Sequence, residues 1–270
     1  MKFRLLLLVT GIFVTNAFAV DEIITIGATS VPHAQILQQV KPLLKKQGID
    51  LQIKEFSDYV QPNFLVDQKQ LDANFCVHQP YLTEFNKERG THLVSLTGVH
   101  IEPMGIYASS NSKLKDFIQS KNINKLPRDL LVGVPNDTTN EGRALLLLQE
   151  NGFITIKAGV AFPTRKDIVI NKYNISLREL DPAMVPRAMK ASQLDLAVIN
   201  SNFALQAGIN PLQDAIFIEN ANSPYVNIVV VRDGNQNQPK MKKLAEVLHS
   251  AAIKKYIDIT YKGAVISVAK

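Results

Sequence analysis

The sequence predicts an α/β fold with a mostly parallel sheet, and three observations carry that prediction. Short β-branched apolar runs alternate along the chain with segments whose apolar residues recur every three or four positions. Hydrophobic residues make up 46% of the chain and charged ones 20%, too balanced for a disordered, collagen-like or coiled-coil protein. At 270 residues the chain exceeds what one hydrophobic core comfortably serves, roughly 250, so one large domain and two modest lobes both stay open.

Taken in order, residues 23–26 are a first strand. Ile36, Leu37, Val40, Leu43 and Leu44 then fall at helical spacing, and Gly48 closes that helix. Residues 51–56 read as a second strand, 60–70 as a short helix opened by Pro62, 71–77 as a third strand, and 80–89 as a helix stopped by Gly90. Further strands are expected at 130–134, 175–180, 194–199, 215–218 and 226–231, with helices between them and a helical C-terminus. No internal repeat or low-complexity linker interrupts the pattern.

The N-terminus has the three regions of a secretory signal peptide. Lys2 and Arg4 precede an apolar run over 5–14, and Ala17-Phe18-Ala19 stands just before the acidic Asp21 and Glu22. Residues 1–19 are therefore expected to be removed, with cleavage after Ala19. The run is short for a bilayer span, and no other stretch approaches the roughly 20 apolar residues a membrane helix needs. The one cysteine, Cys76, lies far from the leader, so neither a lipobox cysteine nor an internal disulfide is expected. The expectation is a soluble, unanchored periplasmic protein. Basic residues exceed acidic ones by six, but no run of five like charges forms a basic stripe, which excludes nucleic acid as a partner.

In open α/β sheets ligands sit beyond the carboxyl ends of strands, which directs attention to residues 74–78, 136–140, 200–202 and 220–227. The segment from Pro135 to Arg143 reads as an N-capped helix start whose backbone N–H groups favour an anion, with Arg143 offering a bidentate fork to a carboxylate or, equally, forming a surface ion pair. Asn200 follows an apolar strand and Asn227 lies inside one; both could equally be turn or backbone-satisfying residues. Cys76 and His78 alternate on a strand and so share a face, with Tyr81 just beyond. Such neighbours stand roughly 6 to 7 Å apart, too far for the contact that activates a thiol. A secreted enzyme using Cys76 as nucleophile is the alternative reading, and a pocket-lining thiol the favoured one. His33, His92, His100 and His249 show no metal-ligand spacing, and no nucleotide-binding or GxSxG motif occurs, so neither metal nor cofactor is expected.

Gly27-Ala-Thr-Ser-Val-Pro-His33-Ala-Gln, Phe56-Ser-Asp-Tyr59-Val-Gln-Pro-Asn63, the stretch from Leu71 through Asn74 and His78-Gln-Pro-Tyr81, and Val134-Pro-Asn-Asp137 through Gly142-Arg143 occur in an order and spacing that resemble the NlpA-type methionine-binding protein family. Ala197-Val-Ile-Asn200, Ser223-Pro-Tyr-Val-Asn227 and Lys262-Gly-Ala-Val extend the resemblance over nearly all of the mature chain.

The resemblance implies a two-lobed periplasmic-binding-protein fold of type II-like form with a ligand cleft between lobes. It places 20–104 plus 226–270 in the first lobe and 105–225 in the second. It implies a carrier and not an enzyme: a monomer that captures an amino acid, usually methionine, or a short methionine-containing peptide, for an inner-membrane ABC importer. By position, Arg143 would hold the ligand carboxylate, the side-chain oxygens of Asn200 and Asn227 would accept from its ammonium, and Tyr59, Cys76, His78 and Tyr81 would surround its side chain. Cys76 and Val77 stand where the family usually has Phe and Gln, and Thr138 where it often has Pro. The side-chain slot is thus altered, which leaves open the same fold repurposed for a different small ligand.

Overall fold

A computed structural model describes residues 22–268; the expected signal peptide and its cleavage site lie outside them. The chain opens with β1 (Glu22–Thr29), α1 (Gln35–Lys45), β2 (Ile49–Phe56), α2 (Gln61–Asp67), β3 (Ala73–His78), α3 (Gln79–Arg89) and β4 (Leu93–Ile101). It continues through β5 (Gly105–Ala108), α4 (Lys115–Ser120), β6 (Leu131–Pro135), α5 (Thr138–Glu150), β7 (Thr155–Ile156), β8 (Ile168–Ile170), β9 (Ser176–Leu180), α6 (Val185–Lys190), β10 (Leu196–Ile199), α7 (Ser201–Gln206), α8 (Pro211–Asp214) and β11 (Phe217–Ile218). It closes with β12 (Val226–Arg232), α9 (Pro239–Leu248), α10 (Ala251–Tyr261) and β13 (Ile266–Ser267).

Local chemistry explains where these elements stop and start. α1 buries Ile36, Leu37, Val40 and Leu44, and the left-handed Gly48 that follows it turns the chain into β2. Gly90 ends α3 in the same conformation. Asp137 caps α5 by accepting from Asn140 N, and Ser250 caps α10 by accepting from Ile253 N.

The strands form a six-stranded sheet in the order β13-β4-β12-β3-β1-β2 and a five-stranded sheet in the order β11-β5-β10-β6-β9. Both are mixed, against the mostly parallel arrangement expected. β1 pairs parallel with β2 and β3, but β12 runs antiparallel to both β3 and β4. The reason is the path of the chain: it leaves the first sheet after β4 and returns from the second as β12, wedged between β3 and β4 in the reverse direction. In the second sheet β5 is likewise antiparallel to β10 and β11.

Each sheet has its own core. Ile24, Ile26, Phe75, Val229 and Val231 pack under α1, α9 and α10 in the first lobe, while Ile106, Val132, Leu145, Phe153 and Val198 fill the second. A third buried cluster takes residues from both, bringing Tyr59, Val77 and Leu82 together with Val185, Ala197 and Phe203. The result is the two-lobed binding-protein fold with its lobes packed face to face. At the crossing, Met104 N donates to Glu219 Oε2 at 2.8 Å and Glu219 N donates to Met104 O at 2.9 Å, pinning the two connecting segments together.

Candidate functional site

Between the lobes lies a narrow cavity, and every candidate residue of the sequence reading lines it: Tyr59, Cys76, His78 and Tyr81, with Arg143, Asn200 and Asn227. Val77, Glu102, Asn140, Ser201 and Asn202 complete the wall and were not singled out. Asn140 and Asn202 fall inside segments flagged for following strands. Glu102, which follows β4, lay outside those segments.

Strict alternation along β3 would put Cys76 and His78 on one face and Val77 on the other. The pairing with β12 slips instead: Ile228 lies opposite Val77 and Val229 opposite Phe75, which leaves Cys76 as an extra residue. This bulge turns three consecutive side chains into the cavity, while Phe75 stays in the first-lobe core.

His78 ends β3 and caps α3. Its Nδ1 accepts from Tyr81 N at 3.1 Å, so the proton sits on Nε2, which donates to Asn140 Oδ1 at 3.2 Å across the cleft. Burial, then the adjacent Arg143, push the imidazole down to about 3, so it is neutral at ordinary pH. Asn140 Oδ1 also accepts from Asn200 Nδ2 at 2.8 Å, and Asn140 Nδ2 is held by the Asp137 carboxylate at 2.9 and 3.0 Å. The start of α5, expected to seat an anion, is thus already occupied by the carboxylate of Asp137.

Arg143 lies a turn further along α5 and is 3% exposed. Its Nε and Nη2 clasp Glu219 at 2.8 and 2.5 Å, Nη2 also donates to Glu102 O at 2.8 Å, and the guanidinium lies 4.2 Å over the Tyr225 ring. The bidentate fork assigned to a ligand is therefore taken by Glu219. Nη1, with no hydrogen-bond partner among the described residues, is the edge left for an anion.

The amides are equally committed. Asn200 gives its nitrogen to Asn140, which leaves Oδ1 buried without a partner. Asn202 accepts from the Tyr59 hydroxyl at 2.7 Å and leaves Nδ2 without one. Asn227 Oδ1 faces His33 Nε2 at 3.1 Å, so its open end is the nitrogen. Asn200 keeps a whole acceptor for an ammonium, whereas the Asn227 oxygen, which the resemblance also assigns to the ammonium, already receives His33 Nε2.

Behind this wall, His33, His100 and Glu102 bring ligand-type atoms within 4.8 Å of one another, a cluster the spacing of the histidines did not reveal. It is hydrogen-bonded: Glu102 Oε1 meets His100 Nε2 at 2.6 Å and His33 Nε2 at 3.3 Å, and Oε2 accepts from Asn202 N at 3.0 Å. A metal-binding His100 would need its Nδ1 oriented by an acceptor, and that atom has no partner. Burial alone would raise the Glu102 carboxyl, but the two imidazoles and Arg143 outweigh it and hold it below its usual value. Burial lowers His33 to about 4, so its contact with Glu102 is a neutral N–H to a carboxylate rather than an ion pair.

The Cys76 thiol donates to Asn74 Oδ1 at 3.6 Å, and burial pushes it well up from the ordinary thiol range. Both nitrogens of His78 are engaged elsewhere. Neither a thiolate nor a base to make one is present, which removes the nucleophile reading.

The model of the NlpA lipoprotein family matches residues 24–269. The chain belongs to that family. It is 38% identical over 251 residues to the methionine-binding lipoprotein MetQ of Bacillus subtilis, spanning 92% of this chain and 88% of the relative. A nutrient-binding protein from Burkholderia cenocepacia, bound to methionine, superimposes with a TM-score of 0.84 at 39% identity, covering 91% of this chain and 99% of the other. A periplasmic substrate-binding protein of an ABC transporter from Coxiella burnetii does so with a TM-score of 0.82 at 33% identity, covering 91% and 100%. These relatives are binding proteins, not enzymes.

Membership overturns one expectation. A chain cut after Ala19 and left unanchored in the periplasm is at odds with a family named for lipoproteins and with the Bacillus relative, a lipoprotein by name. That expectation rested on the missing lipobox cysteine. The sequence's single cysteine, Cys76, is buried in β3.

Proposed function

We propose that this chain is the substrate-binding component of an ABC importer and that it closes its two lobes on an amino acid, methionine first among candidates. The observation that carries the reading is a cavity holding, within one enclosed wall, a guanidinium edge for a carboxylate, a buried unpartnered acceptor for an ammonium, and aromatic faces for an apolar side chain. Arg143 Nη1 supplies the first, Asn200 Oδ1 the second, and Tyr59 and Tyr81, with ring centroids 5.8 Å apart, the third. A thioether against such rings gains a modest sulfur–aromatic contact. The methionine-bound Burkholderia relative and the ABC-transporter relative support the same reading.

Cys76 keeps a second ligand in play: a thiol where a ring would otherwise pack leaves space for a different side chain. Thermal unfolding across the amino acids tests both. A ligand at 100 times its Kd should stabilise by about 2.7 kcal/mol. Stabilisation by methionine is expected. A different amino acid stabilising in its place would reassign the ligand, and no stabilisation by any would overturn the receptor reading.

A further inference from the structure

The two asparagines that flank the polar end of the cavity are set to opposite tasks by their partners, and the residue that sets Asn227 is His33. His33 is 1% exposed and sits just after β1, with Nδ1 2.7 Å from Thr29 Oγ1. Its Nε2 faces two oxygens, Glu102 Oε1 at 3.3 Å and Asn227 Oδ1 at 3.1 Å. Glu102 is an ionised carboxylate that already receives His100 Nε2 and Asn202 N, so it has no proton to give. Nε2 therefore carries the hydrogen, Nδ1 accepts from the Thr29 hydroxyl, and Asn227 must turn its oxygen toward the ring. Its nitrogen is left to face the cavity.

The place of that nitrogen says what it reads. Asn227 is the second residue of β12 and lies two residues after Tyr225, whose ring carries the Arg143 guanidinium. Arg143 Nη2 donates to the carbonyl of Glu102, the residue whose carboxylate lies against His33. Asn227 and Arg143 thus converge on one end of the cavity, and both present N–H groups there. We propose that His33 is a positioning residue: through the relay Thr29 to His33 to Asn227 it fixes the Asn227 amide as a donor, so that Asn227 joins Arg143 in reading the ligand carboxylate and leaves the ammonium to Asn200. The inference rests on the amino-acid reading for its ligand, but the relay itself exists in the empty protein.

Two variants at position 33 separate positioning from bulk. H33N keeps an acceptor near Thr29 but has no nitrogen at the reach of Nε2; H33Q carries its amide nitrogen at about that reach. The readout is the ratio of affinities for methionine and methioninamide, which differ only at the carboxylate. A hydrogen bond to a charged group is worth about ten- to a hundredfold in binding. H33N should therefore lower the preference for the acid by at least about tenfold and H33Q should restore most of it. N227D, which places an oxygen where the donor was, should invert the preference.

Equal weakening of both ligands by H33N, or an unchanged ratio in N227D, would overturn the proposal. A ligand-free check uses nitrogen-15 shifts of the imidazoles in the wild-type chain. Protonated Nε2 at His33 is expected, and a proton on Nδ1 overturns the relay. If the wild type binds neither compound, the receptor reading fails, while the tautomer still decides the relay.

Discussion

The two ends of the cavity are held in contrasting ways. At the Arg143 end the protein's own hydrogen bonds dictate almost every polar atom: Glu219 and the Glu102 carbonyl fix the guanidinium, Asp137 fixes Asn140, Asn140 fixes Asn200, and His33 fixes Asn227. At the Tyr59 end the directional bonds are fewer and weaker: the Tyr59 hydroxyl donates to Asn202 and the bulged Cys76 thiol to Asn74, among ring contacts of Tyr59 with Tyr81 and Phe203. Directional bonds admit one arrangement, whereas ring and sulfur contacts tolerate repacking. The common backbone of amino acids belongs at the first end, and differences between family members' ligands belong at the second.

The largest break in that contrast should come from Arg143→Ala. It removes the carboxylate contact and strands Glu219 beside a half-buried crossing, so we expect a stability loss of about 3 to 5 kcal/mol together with loss of ligand stabilisation. Chemical denaturation with and without methionine measures both. A variant that still binds tightly would sink the assignment of Arg143.

Acid should come next and act on the same end. In the unfolded chain an imidazole takes its proton near pH 6.5, while in the folded chain His33 refuses it until about 4 and His78 until about 3. Between those values the unfolded state binds more protons, so stability falls as pH falls. For His33 alone the loss is on the order of 3 kcal/mol at 1.4 kcal/mol per pKa unit. Glu102 works in the same direction: its carboxyl is held low, and its contribution is lost as pH drops through the folded value. A melting temperature flat from pH 7 to 4 would contradict this.

The Tyr59 end should respond weakly. Tyr59→Phe removes only the bond to Asn202 and should cost about 1 kcal/mol. A loss of several would mean that this end is as tightly specified as the other. Smallest of all, Cys76 in the native chain should resist iodoacetamide at pH 8, and rapid alkylation would show the thiol to be neither buried nor raised in pKa.

The sequence announced much of this framework through β-branched runs and helix stops, and it missed particular elements for particular reasons. β4 went unread because Ser95, Thr97, Gly98 and His100 interrupt its apolar pattern, and much of it is only half-buried. β5 and β13 are too short to show a period. Several residues lining the cavity could be picked out because strand ends point at clefts, and Tyr59 only through the family resemblance. Their tasks could not, because the deciding partners are remote: Arg143 meets Glu219 across 76 positions and Asn227 meets His33 across 194. The bulge at Cys76 left no mark either, since nothing in Ala73-Asn-Phe-Cys-Val-His78 signals an extra residue.

The clasp between Arg143 and Glu219 has one more consequence. Glu219 is bonded to Met104 at the crossing, and Arg143 belongs to the second lobe, so this pair stays with one body when the lobes part. The ion pairs Lys87–Glu84, Lys113–Asp195, Arg165–Glu179 and Lys240–Asp72 each lie within one lobe. The contacts that cross between the lobes include Tyr59 to Asn202 and His78 to Asn140, whose side chains carry no net charge, and two in which a carboxylate accepts, Glu102 from Asn202 N and Glu88 from the Thr138 hydroxyl. Dissolved ions screen charges and leave the neutral contacts alone, so salt should shift the balance between open and shut forms only through the bonds made to Glu102 and Glu88.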